Sequence, residues 1–327
     1  MYQFEITANE AGQRLDKYLK KLLPKAPSSF FYKMLRKKNI VVNGKKAEGG
    51  EKLSVGDRVS LFLSMDTFAG FCGEENEKKD GYEDAYGTLK GIGIVCENKH
   101  MLLLNKPAGI LTQKACETDL SLNEWLVGYL LSTGAATRES LKTYRPSVCN
   151  RLDRNTSGLV ICAKSLAGSQ RLNELIRERR IRKFYRLYVK GVVREEGVLS
   201  GYLSKDARTN TVAIAASQTA RDSREVLTRY YPVKNFSDIT CLEAELVTGK
   251  THQIRAHMAL AGHPLVGDAK YGDAAFNEKF KKKYQLHYQL LHAFRLEFPA
   301  DGLLLKEAES FTAKEPAVFE RISSSYR

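Results

Sequence analysis

The first apolar pattern along the chain has helical spacing. Apolar side chains recur every three or four residues, at Leu15, Tyr18, Leu19, Leu22 and Leu23. Such spacing is typical of the buried face of an amphipathic helix. Pro24 and Pro27 are predicted to end this helix. Ser28 or Ser29 is placed to cap a second helix over residues 30–38.

A strand pattern follows the second helix. The apolar run of residues 40–42 leads into Asn43-Gly44, a pair that strongly favours a tight β-hairpin. A closing strand is predicted over residues 58–63. The hairpin brings two lysines beside the basic end of the second helix. We therefore predict a phosphate-binding face formed by Arg36, Lys37, Lys38, Asn43, Lys45 and Lys46. Because cations also suit the last turn of a helix, the alternative is a basic helical hairpin without a ligand.

Residues 65–90 interrupt both patterns. They contain four glycines and an acidic run, Glu74, Glu75 and Glu77, and they have little periodicity. This composition is typical of a flexible linker. We predict a small domain over residues 1–64, a flexible linker over 65–90 and a second domain over 91–327.

The second domain mixes strand and helix patterns. The predicted strands are 92–96, 101–104, 183–190, 225–233 and 239–247. Ser121 and Ser165 are placed to cap helices, and Thr251 is placed to cap a helix that ends near Gly262. Hairpins mixed with isolated helices favour an α+β fold with a mixed, largely antiparallel sheet over repeated βαβ units.

Basic residues are concentrated on both sides of the predicted linker. Residues 1–64 carry a net charge of +7, residues 65–90 a net charge of −4, and the rest a net charge of +11. The total of +14 exceeds what solubility requires of a domain of this size. Two basic blocks separated by an acidic segment indicate that both blocks bind one polyanion.

Several functional classes are excluded by the motifs. The six cysteines form no C-x-x-C pair, which argues against a zinc site and a disulfide framework. Residues 249–251 (Gly-Lys-Thr) are not a P-loop, because Ala244 stands where its first glycine would be. His252 and His257 lack the glutamate and third ligand of a metalloprotease. We find no signal peptide and no apolar run of membrane length, so we predict a cytoplasmic protein in a reducing environment, with no metal and no cofactor.

The strongest candidate chemistry lies in the stretch NRLDRNTSGL, residues 150–159. It places Asp153 between Arg151 and Arg154 in a turn-forming context. A carboxylate between two guanidinium groups stays ionised and faces an anionic partner. By itself, the stretch also fits a turn aspartate in a surface ion pair. Since glycoside hydrolysis usually needs two carboxylates, one aspartate is better suited to nucleophilic or base chemistry on a substrate that recaptures its own leaving group.

Five stretches, in order along the chain, resemble motifs of the RluA family of pseudouridine synthases. They are NKPAG (105–109), NRLDRNTSGL (150–159), KFYRLYVKG (183–191), TGKTHQIRAHMALAGHPLVGDAKYG (248–272) and LHAFRLEF (291–298). Residues 12–63 resemble the S4 RNA-binding domain, with R-L-D at 14–16 and V-N-G at 42–44. An S4 domain in front of the catalytic domain is frequent in this family, and the arrangement is similar to its RluC and RluD branch.

The resemblance implies isomerisation of uridine to pseudouridine in RNA. Asp153 would be the catalytic carboxylate, acting on the sugar or on the base. Tyr185 would stack on the flipped base, and Arg255 would pair with Asp153. Arg151 would fill the gap that the base leaves in the RNA. From the residues alone, Tyr185 would be a core tyrosine and Arg255 a surface cation.

Two positions depart from the family pattern. Asn150 stands where histidine is usual, and Leu187 where alanine is usual. Because Arg151 and Asp153 are intact, we expect a changed hydrogen bond at Asn150 and no loss of activity. The S4 domain favours large-subunit (23S) ribosomal RNA as the substrate of a monomeric enzyme. Transfer RNA is the alternative substrate, and a catalytically silent RNA-binding assembly factor is the alternative function.

Overall fold

The chain of 327 residues folds into a small N-terminal unit and a larger unit built on one extensive sheet. The computed structural model describes residues 1–7, 10–72, 80–206, 211–218 and 223–326. Both units combine helices with β-sheet. The predicted α+β class is confirmed.

The N-terminal unit packs two helices on a four-stranded antiparallel sheet. Its elements are β1 (Tyr2–Glu5), α1 (Leu15–Leu22), α2 (Ser28–Arg36), β2 (Ile40–Val42), β3 (Lys45–Lys46) and β4 (Arg58–Leu61). The strand order is β1-β4-β2-β3. The predicted apolar face of α1 is buried, with Leu15 and Leu19 fully inaccessible. The predicted serine cap of α2 is wrong, because Ser28 already lies within the helix and Pro27 is the N-cap residue.

Residues 65–90 contain regular structure at both ends. Helix α3 spans Met65–Phe71 and helix α4 spans Tyr82–Thr88. Phe68 stacks on Tyr2 with 3.7 Å between ring centroids, so α3 packs on the N-terminal unit, whereas Tyr82 belongs to the core of the larger unit. The prediction of a flexible linker over residues 65–90 therefore needs correction at these two ends. There, apolar residues at helical spacing pack on the neighbouring unit and form helices despite the glycines and acidic residues. The acidic run lies outside the described residues.

The larger unit contains an 11-stranded sheet. Its strands are β5 (Gly93–Glu97), β6 (Met101–Lys106), β7 (Ser147–Val148), β8 (Ser157–Ala163), β9 (Arg182–Lys190), β10 (Gly197–Asp206), β11 (Thr211–Ala215), β12 (Arg224–Asn235), β13 (Ile239–Leu246), β14 (Leu291–Phe298) and β15 (Glu309–Thr312). The order is β11-β10-β12-β13-β9-β14-β8-β6-β5, with β15 beside β14 and β7 beside β8. Strands β8 and β14 are parallel, and the other pairs in the described part of the chain are antiparallel.

Helices cover both faces of this sheet. They are α5 (Leu122–Ser132), α6 (Arg138–Thr143), α7 (Leu166–Arg177), α8 (Gln253–Leu260), α9 (Ala274–Tyr284) and α10 (Ala317–Ser325). Alternate residues of β6 point to opposite faces. Leu102 and Leu104 join the core beneath α5, whereas Met101 and Leu103 join the core beneath α7.

The predicted caps of α5 and α7 are confirmed, and that of α8 is wrong. The hydroxyl oxygen of Ser121 accepts from the Asn123 amide, and that of Ser165 accepts from the Gly168 amide. Helix α8, in contrast, follows His252, whose φ of 54° lies in the left-handed region. This turn directs His252 away from the helix, toward the loop that precedes β8.

The two units touch through α1 and α6. The Thr143 hydroxyl donates to the Glu10 carboxylate over 2.7 Å, and both side chains are buried. No helix within the described ranges is both long enough and apolar enough to cross a membrane.

Candidate active site

The loop of residues 149–156 between β7 and β8 has its backbone fixed on both sides of Asp153. The Thr112 hydroxyl donates to the Leu152 carbonyl over 2.8 Å and accepts from the Leu152 amide over 3.1 Å. After the aspartate, the Thr156 amide donates to the Asp153 carbonyl over 3.1 Å. The loop therefore presents Asp153 from a rigid turn.

Asn150, one of the two departures from the family pattern, also fixes this loop. Its side-chain oxygen accepts from the Ile161 amide over 2.7 Å, which ties the start of the loop to β8. The other departure, Leu187, is fully buried, and its backbone pairs with Leu242 and Leu291 in neighbouring strands. Both residues are therefore built into the framework that carries the loop.

A buried lysine supports the loop from below. Lys106 is completely inaccessible, and its ammonium donates to the carbonyls of Pro107, Ile110 and Arg154 over 2.9–3.1 Å. Burial lowers the pKa of Lys106 to about 7, and the charge of Asp153 acts in the opposite direction. By reaching Arg154, the residue after the aspartate, Lys106 fixes the far side of the turn.

Strand β14 forms the other wall of the loop. Gly158 has a φ of +116°, and a Cβ there would lie 2.3 Å from the carbonyl oxygen of Ala293. Only glycine fits this close approach. Two buried hydrogen bonds also hold the loop against this wall. Gln289 donates to the Thr156 hydroxyl, and the Ser157 hydroxyl is hydrogen-bonded to His292. The T-S-G part of the motif thus packs directly on β14.

Asp153 forms an ion pair with Arg255, as the sequence predicts. Arg255 Nη1 donates to Asp153 Oδ2 over 2.9 Å, and the two side chains are 6% and 24% exposed. Arg255 is not a surface cation, because its Nε and Nη2 donate to the two oxygens of Asp268 over 2.6 and 2.8 Å. The Arg255–Asp268 pair is bidentate and largely desolvated, and this geometry fixes the plane of the guanidinium.

Asp268 is a fully buried anchor. Burial by itself would raise the pKa of Asp268, but the hydrogen bonds and charge of Arg255 lower that pKa below its usual value. The backbone amides of Lys270 and Tyr271 also donate to Asp268 Oδ1. The carboxylate is therefore ionised and holds Arg255 in place.

Tyr185 lies on β9 beside the site. It is 6% exposed and pairs in register with two small residues, Ala244 and Ala293. Burial, followed by the charge of Asp153, raises the pKa of Tyr185 above its usual value, so its hydroxyl remains protonated. Arg151, in contrast, is exposed on the loop. The structure therefore joins Asp153 to Arg255 and buries Tyr185 in the core of the larger unit, as expected from the residues alone, whereas Arg151 lies toward solvent.

His252 and Tyr271 extend the site beyond the residues singled out in the sequence. The Val212 amide donates to the Tyr271 hydroxyl oxygen over 2.7 Å, and this hydroxyl lies 3.0 Å from His252 Nδ1. His252 and Tyr271 are therefore joined by a hydrogen bond through Nδ1. His252 Nε2 lies 3.7 Å from Asp153 Oδ2.

The protonation of His252 follows from its surroundings. Burial lowers the pKa of His252, and the charge of Asp153 opposes this effect. The imidazole is therefore neutral at pH 7. From the sequence, His252 was considered only as a metalloprotease ligand and rejected in that role, so its position beside Asp153 was not predicted. No cluster that fits a metal ion occurs among the described residues.

Comparisons with known proteins agree with this geometry. Residues 100–260 match the RNA pseudouridylate synthase family, and residues 13–59 match the S4 domain. Ribosomal large subunit pseudouridine synthase C of Escherichia coli strain K12 is 31% identical, over 91% of this chain and 88% of that protein. The chain belongs to the RNA pseudouridylate synthase family. The resemblance to its RluA members is thereby confirmed.

Further relatives and solved structures support the assignment. The synthase of the same name from Haemophilus influenzae is 28% identical over 98% of this chain and 94% of its own. The structure of human RNA pseudouridylate synthase domain containing 1 has a TM-score of 0.54 and 25% identity, covering 69% of this chain and 84% of that one. Human RNA pseudouridylate synthase domain containing 4, with a TM-score of 0.57 and 21% identity, covers 73% and 94% and shares the fold.

The S4 domain of this synthase presents its predicted basic face to solvent. The side chains of Arg36, Lys37, Lys38, Lys45 and Lys46 are all exposed. Asn43 is also exposed, but its amide group is used within the domain. Its nitrogen donates to the Asp57 carboxylate and its oxygen accepts from the Arg58 amide, each over 2.8 Å. Asn43 therefore shapes the hairpin that carries the two lysines.

Proposed function

We propose that this synthase isomerises uridine to pseudouridine in large-subunit (23S) ribosomal RNA. The main support is the position of Asp153, a single carboxylate held by Arg255 and Asp268 at the heart of a pseudouridylate synthase fold. The names of the E. coli and H. influenzae relatives favour ribosomal RNA over transfer RNA. The S4 domain in front of the catalytic unit is consistent with a large structured RNA.

The reaction needs no external reagent. The bond between C1′ and N1 breaks, the base rotates, a bond forms between C1′ and C5, and the proton of C5 is replaced by one on N1. Arg255 and His252 both approach Oδ2 of Asp153. We therefore assign Oδ1 to the reacting sugar or base, where it acts as a nucleophile or a base.

The neighbouring residues are assigned to substrate binding. A base must leave its stack before it is worked on, and an aromatic ring holds any base by stacking. We assign Tyr185 to the flipped uracil. Arg151 is exposed two residues from Asp153, and we assign it to the gap that the base leaves in the RNA. Arg255 orients Asp153 through the hydrogen bond from Nη1 to Oδ2.

The predicted division of the chain supports the same function. We propose that residues 1–64 bind RNA as an S4 domain, that residues 65–90 connect the units, and that residues 91–327 carry out catalysis. We further propose that the protein acts as a monomer in the cytoplasm, where ribosomal RNA is modified.

Two experiments test the function. Pseudouridine mapping of ribosomal and transfer RNA, from cells with and without the gene, should find missing sites in large-subunit RNA only. Sites lost from transfer RNA would instead support the alternative substrate.

Tritium release from C5-labelled transcripts should be catalysed by the wild-type protein and abolished by Asp153→Asn. RNA affinity should stay equal or increase, because the substitution removes a negative charge that faces phosphate. Substantial turnover by Asp153→Asn would contradict the assigned mechanism, and no turnover by the wild type would favour the silent assembly factor.

A further inference from the structure

Helix α9 and the segment after it form an excursion whose two ends meet beside the active site. At the start, Asn277 accepts from the Gly267 amide and donates to the Asp268 carbonyl over 2.7 and 3.0 Å. At the end, a Cβ on Gly267 would lie 2.4 Å from the Tyr288 carbonyl oxygen. Residues 267–288 therefore leave the site at Asp268, the anchor of Arg255, and return to it at Tyr288.

Tyr288 lies on the rim of the site. Its side chain packs against Gly109, where a Cβ would lie 3.2 Å from the tyrosine hydroxyl oxygen. The Gly109 amide donates to the Arg154 carbonyl over 2.8 Å, directly after Asp153. Tyr288 is nevertheless 39% exposed. Tyr288 therefore presents an exposed ring beside Gly109, which is hydrogen-bonded to the turn that carries Asp153. Such a ring is suited to stacking on an unpaired base.

The outer face of α9 is strongly basic. Phe276, Phe280 and Tyr284 are buried on the inner face, so the helix is held in one orientation. The lysines Lys279, Lys281, Lys282 and Lys283 are all exposed. Glu278 is the acidic residue of this helix and lies 3.9 Å from the Lys282 ammonium, and no Asp or Glu occurs between Lys279 and Leu296. Cations in a last helical turn suit the helix dipole, but the dipole does not explain an exposed tyrosine nearby.

The lysines and the tyrosine are within reach of one RNA strand. Four residues lie between Lys283 and Tyr288, so at most about 18 Å separates their Cα atoms. A stacked strand advances about 3.4 Å per nucleotide, so about five nucleotides cover that distance. Phosphate-binding cations combined with a stacking ring are the usual parts of a single-strand binding surface.

We propose that Tyr288 and the lysine face of α9 bind the single-stranded RNA that flanks the target uridine. This inference rests on the proposed function, because it assumes that the target RNA enters at Asp153. Tyr288 stacks on a neighbouring base, and the lysines contact phosphates up to about five nucleotides away. The S4 domain is a separate contact, so the two surfaces bind different parts of the same RNA.

The test compares two triple variants that remove the same charge. One carries Lys281→Gln, Lys282→Gln and Lys283→Gln. The control carries Lys90→Gln, Lys99→Gln and Lys306→Gln, at three other exposed lysines. The α9 variant should bind a large-subunit RNA fragment about tenfold more weakly, with a salt slope shallower by about 2. The control variant should match the wild type in affinity and salt slope. At saturating RNA, the single-turnover rate of both variants should equal that of the wild type.

Two further measurements make the test specific. Tyr288→Ala should lose about fivefold or more in affinity, whereas Tyr288→Phe should keep wild-type affinity because the ring is retained. With a fragment trimmed to two nucleotides on each side of the uridine, the lysine variant should bind as well as the wild type. An α9 variant that matches its control on the long fragment would overturn the proposal. A wild-type protein that forms no pseudouridine would instead overturn the proposed function.

Discussion

Arg255 and Asp268 form a bidentate ion pair in which the arginine retains one nitrogen for Asp153, the proposed catalytic residue. Nε and Nη2 donate to Asp268 over 2.6 and 2.8 Å, and Nη1 donates to Asp153 over 2.9 Å. The side chain of Asp268 is fully buried and that of Arg255 is 6% exposed. The orientation of the guanidinium at Asp153 is therefore set by Asp268, whose side chain is buried away from solvent.

Asp268→Asn should lower both stability and the single-turnover rate. The Asp268 carboxylate accepts from Nε and Nη2 of Arg255 and also from two backbone amides. Asparagine offers only one acceptor oxygen, so it cannot accept from all four donors. Breaking a buried ion pair typically costs about 3–5 kcal/mol. Arg255 would then no longer be fixed, and the rate should fall further than RNA affinity does.

A matched control separates positioning from stability. Asp301 is another fully buried carboxylate, which pairs with Arg171 and accepts from the amides of Leu304 and Leu305. Asp301→Asn should lose stability without loss of rate in the folded fraction. Denaturant unfolding and single-turnover assays on both variants provide the comparison. Equal rates for the two variants would contradict the positioning role of Asp268.

Asn150→His should fold and retain turnover. The Asn150 oxygen accepts from the Ile161 amide, and the imidazole Nδ1 is also an acceptor at about that reach. The side chain supports the loop from its start and does not contact Asp153 through a described hydrogen bond. Tritium release and thermal melting on the variant check this expectation. A collapse of the rate with an unchanged melting temperature would mean that the amide nitrogen of Asn150 also takes part in the site.

The sequence was most informative where one motif contains a complete local structure. Residues 150–159 contain the turn, the aspartate and the glycine that β14 requires, and the Asn-Gly turn after β2 lies where it was predicted. Sequence was least informative where a site residue depends on distant contacts. Lys106 reaches across 48 positions to the Arg154 carbonyl, so an isolated Asn-Lys-Pro does not reveal a buried ammonium.

Backbone conformation was a second limit on prediction. Thr251 has the chemistry of a helix cap, but the structure places His252 in the left-handed region before α8. A positive φ is uncommon for any residue other than glycine, even though histidine adopts it more often than most residues, so the sequence alone does not predict it here. This turn brings His252 to Asp153. Asp268 lies in the V-G-D stretch at 266–268, within the motif of residues 248–272. Its place in that motif was the sequence signal that could have identified it as a site residue.

Reversing the charge at Arg36, Lys37, Lys38 and Lys45 should weaken RNA binding and flatten its salt dependence. These side chains are exposed, and the salt slope should fall by about 1 for each phosphate that the domain no longer binds. Turnover of a saturating short substrate should change much less, since Asp153 lies in the other unit. Filter binding at several salt concentrations provides the measurement. Unchanged affinity and slope would show that this face does not contact RNA.

Lys106→Met should strongly destabilise the protein. Methionine keeps a similar length but leaves the three carbonyls that Lys106 contacts without that donor, and each buried unsatisfied group costs about 1–3 kcal/mol. The control is Lys164→Met. Lys164 pairs with Glu97 near the surface, where a pair typically contributes about 1 kcal/mol or less. Urea unfolding of both variants makes the comparison, and equal losses would contradict the supporting role of Lys106.

Acid should destabilise the catalytic unit well before its carboxylates are protonated. His257 and His292 are buried, with 1% and 0% exposure, and burial lowers the pKa of each from 6.5 to about 4. Between these values the unfolded chain binds protons that the folded chain does not, so stability falls as pH decreases through this window. At pH 5, about 1.5 units below the unfolded value, each histidine should reduce the free energy of unfolding by about 2 kcal/mol.

Histidine variants distinguish this effect from other acid effects. His257→Gln and His292→Gln should each be less stable than the wild type at pH 7, because Thr228 and Ser157 lose an imidazole partner. Each variant should nevertheless lose less stability between pH 7 and pH 5. His287→Gln, at an exposed histidine, should keep the wild-type dependence. The pKa of Asp268 is lowered below 3.8, so its protonation falls outside this window. Wild-type pH dependence in both buried-site variants would show that these histidines are already protonated in the folded protein.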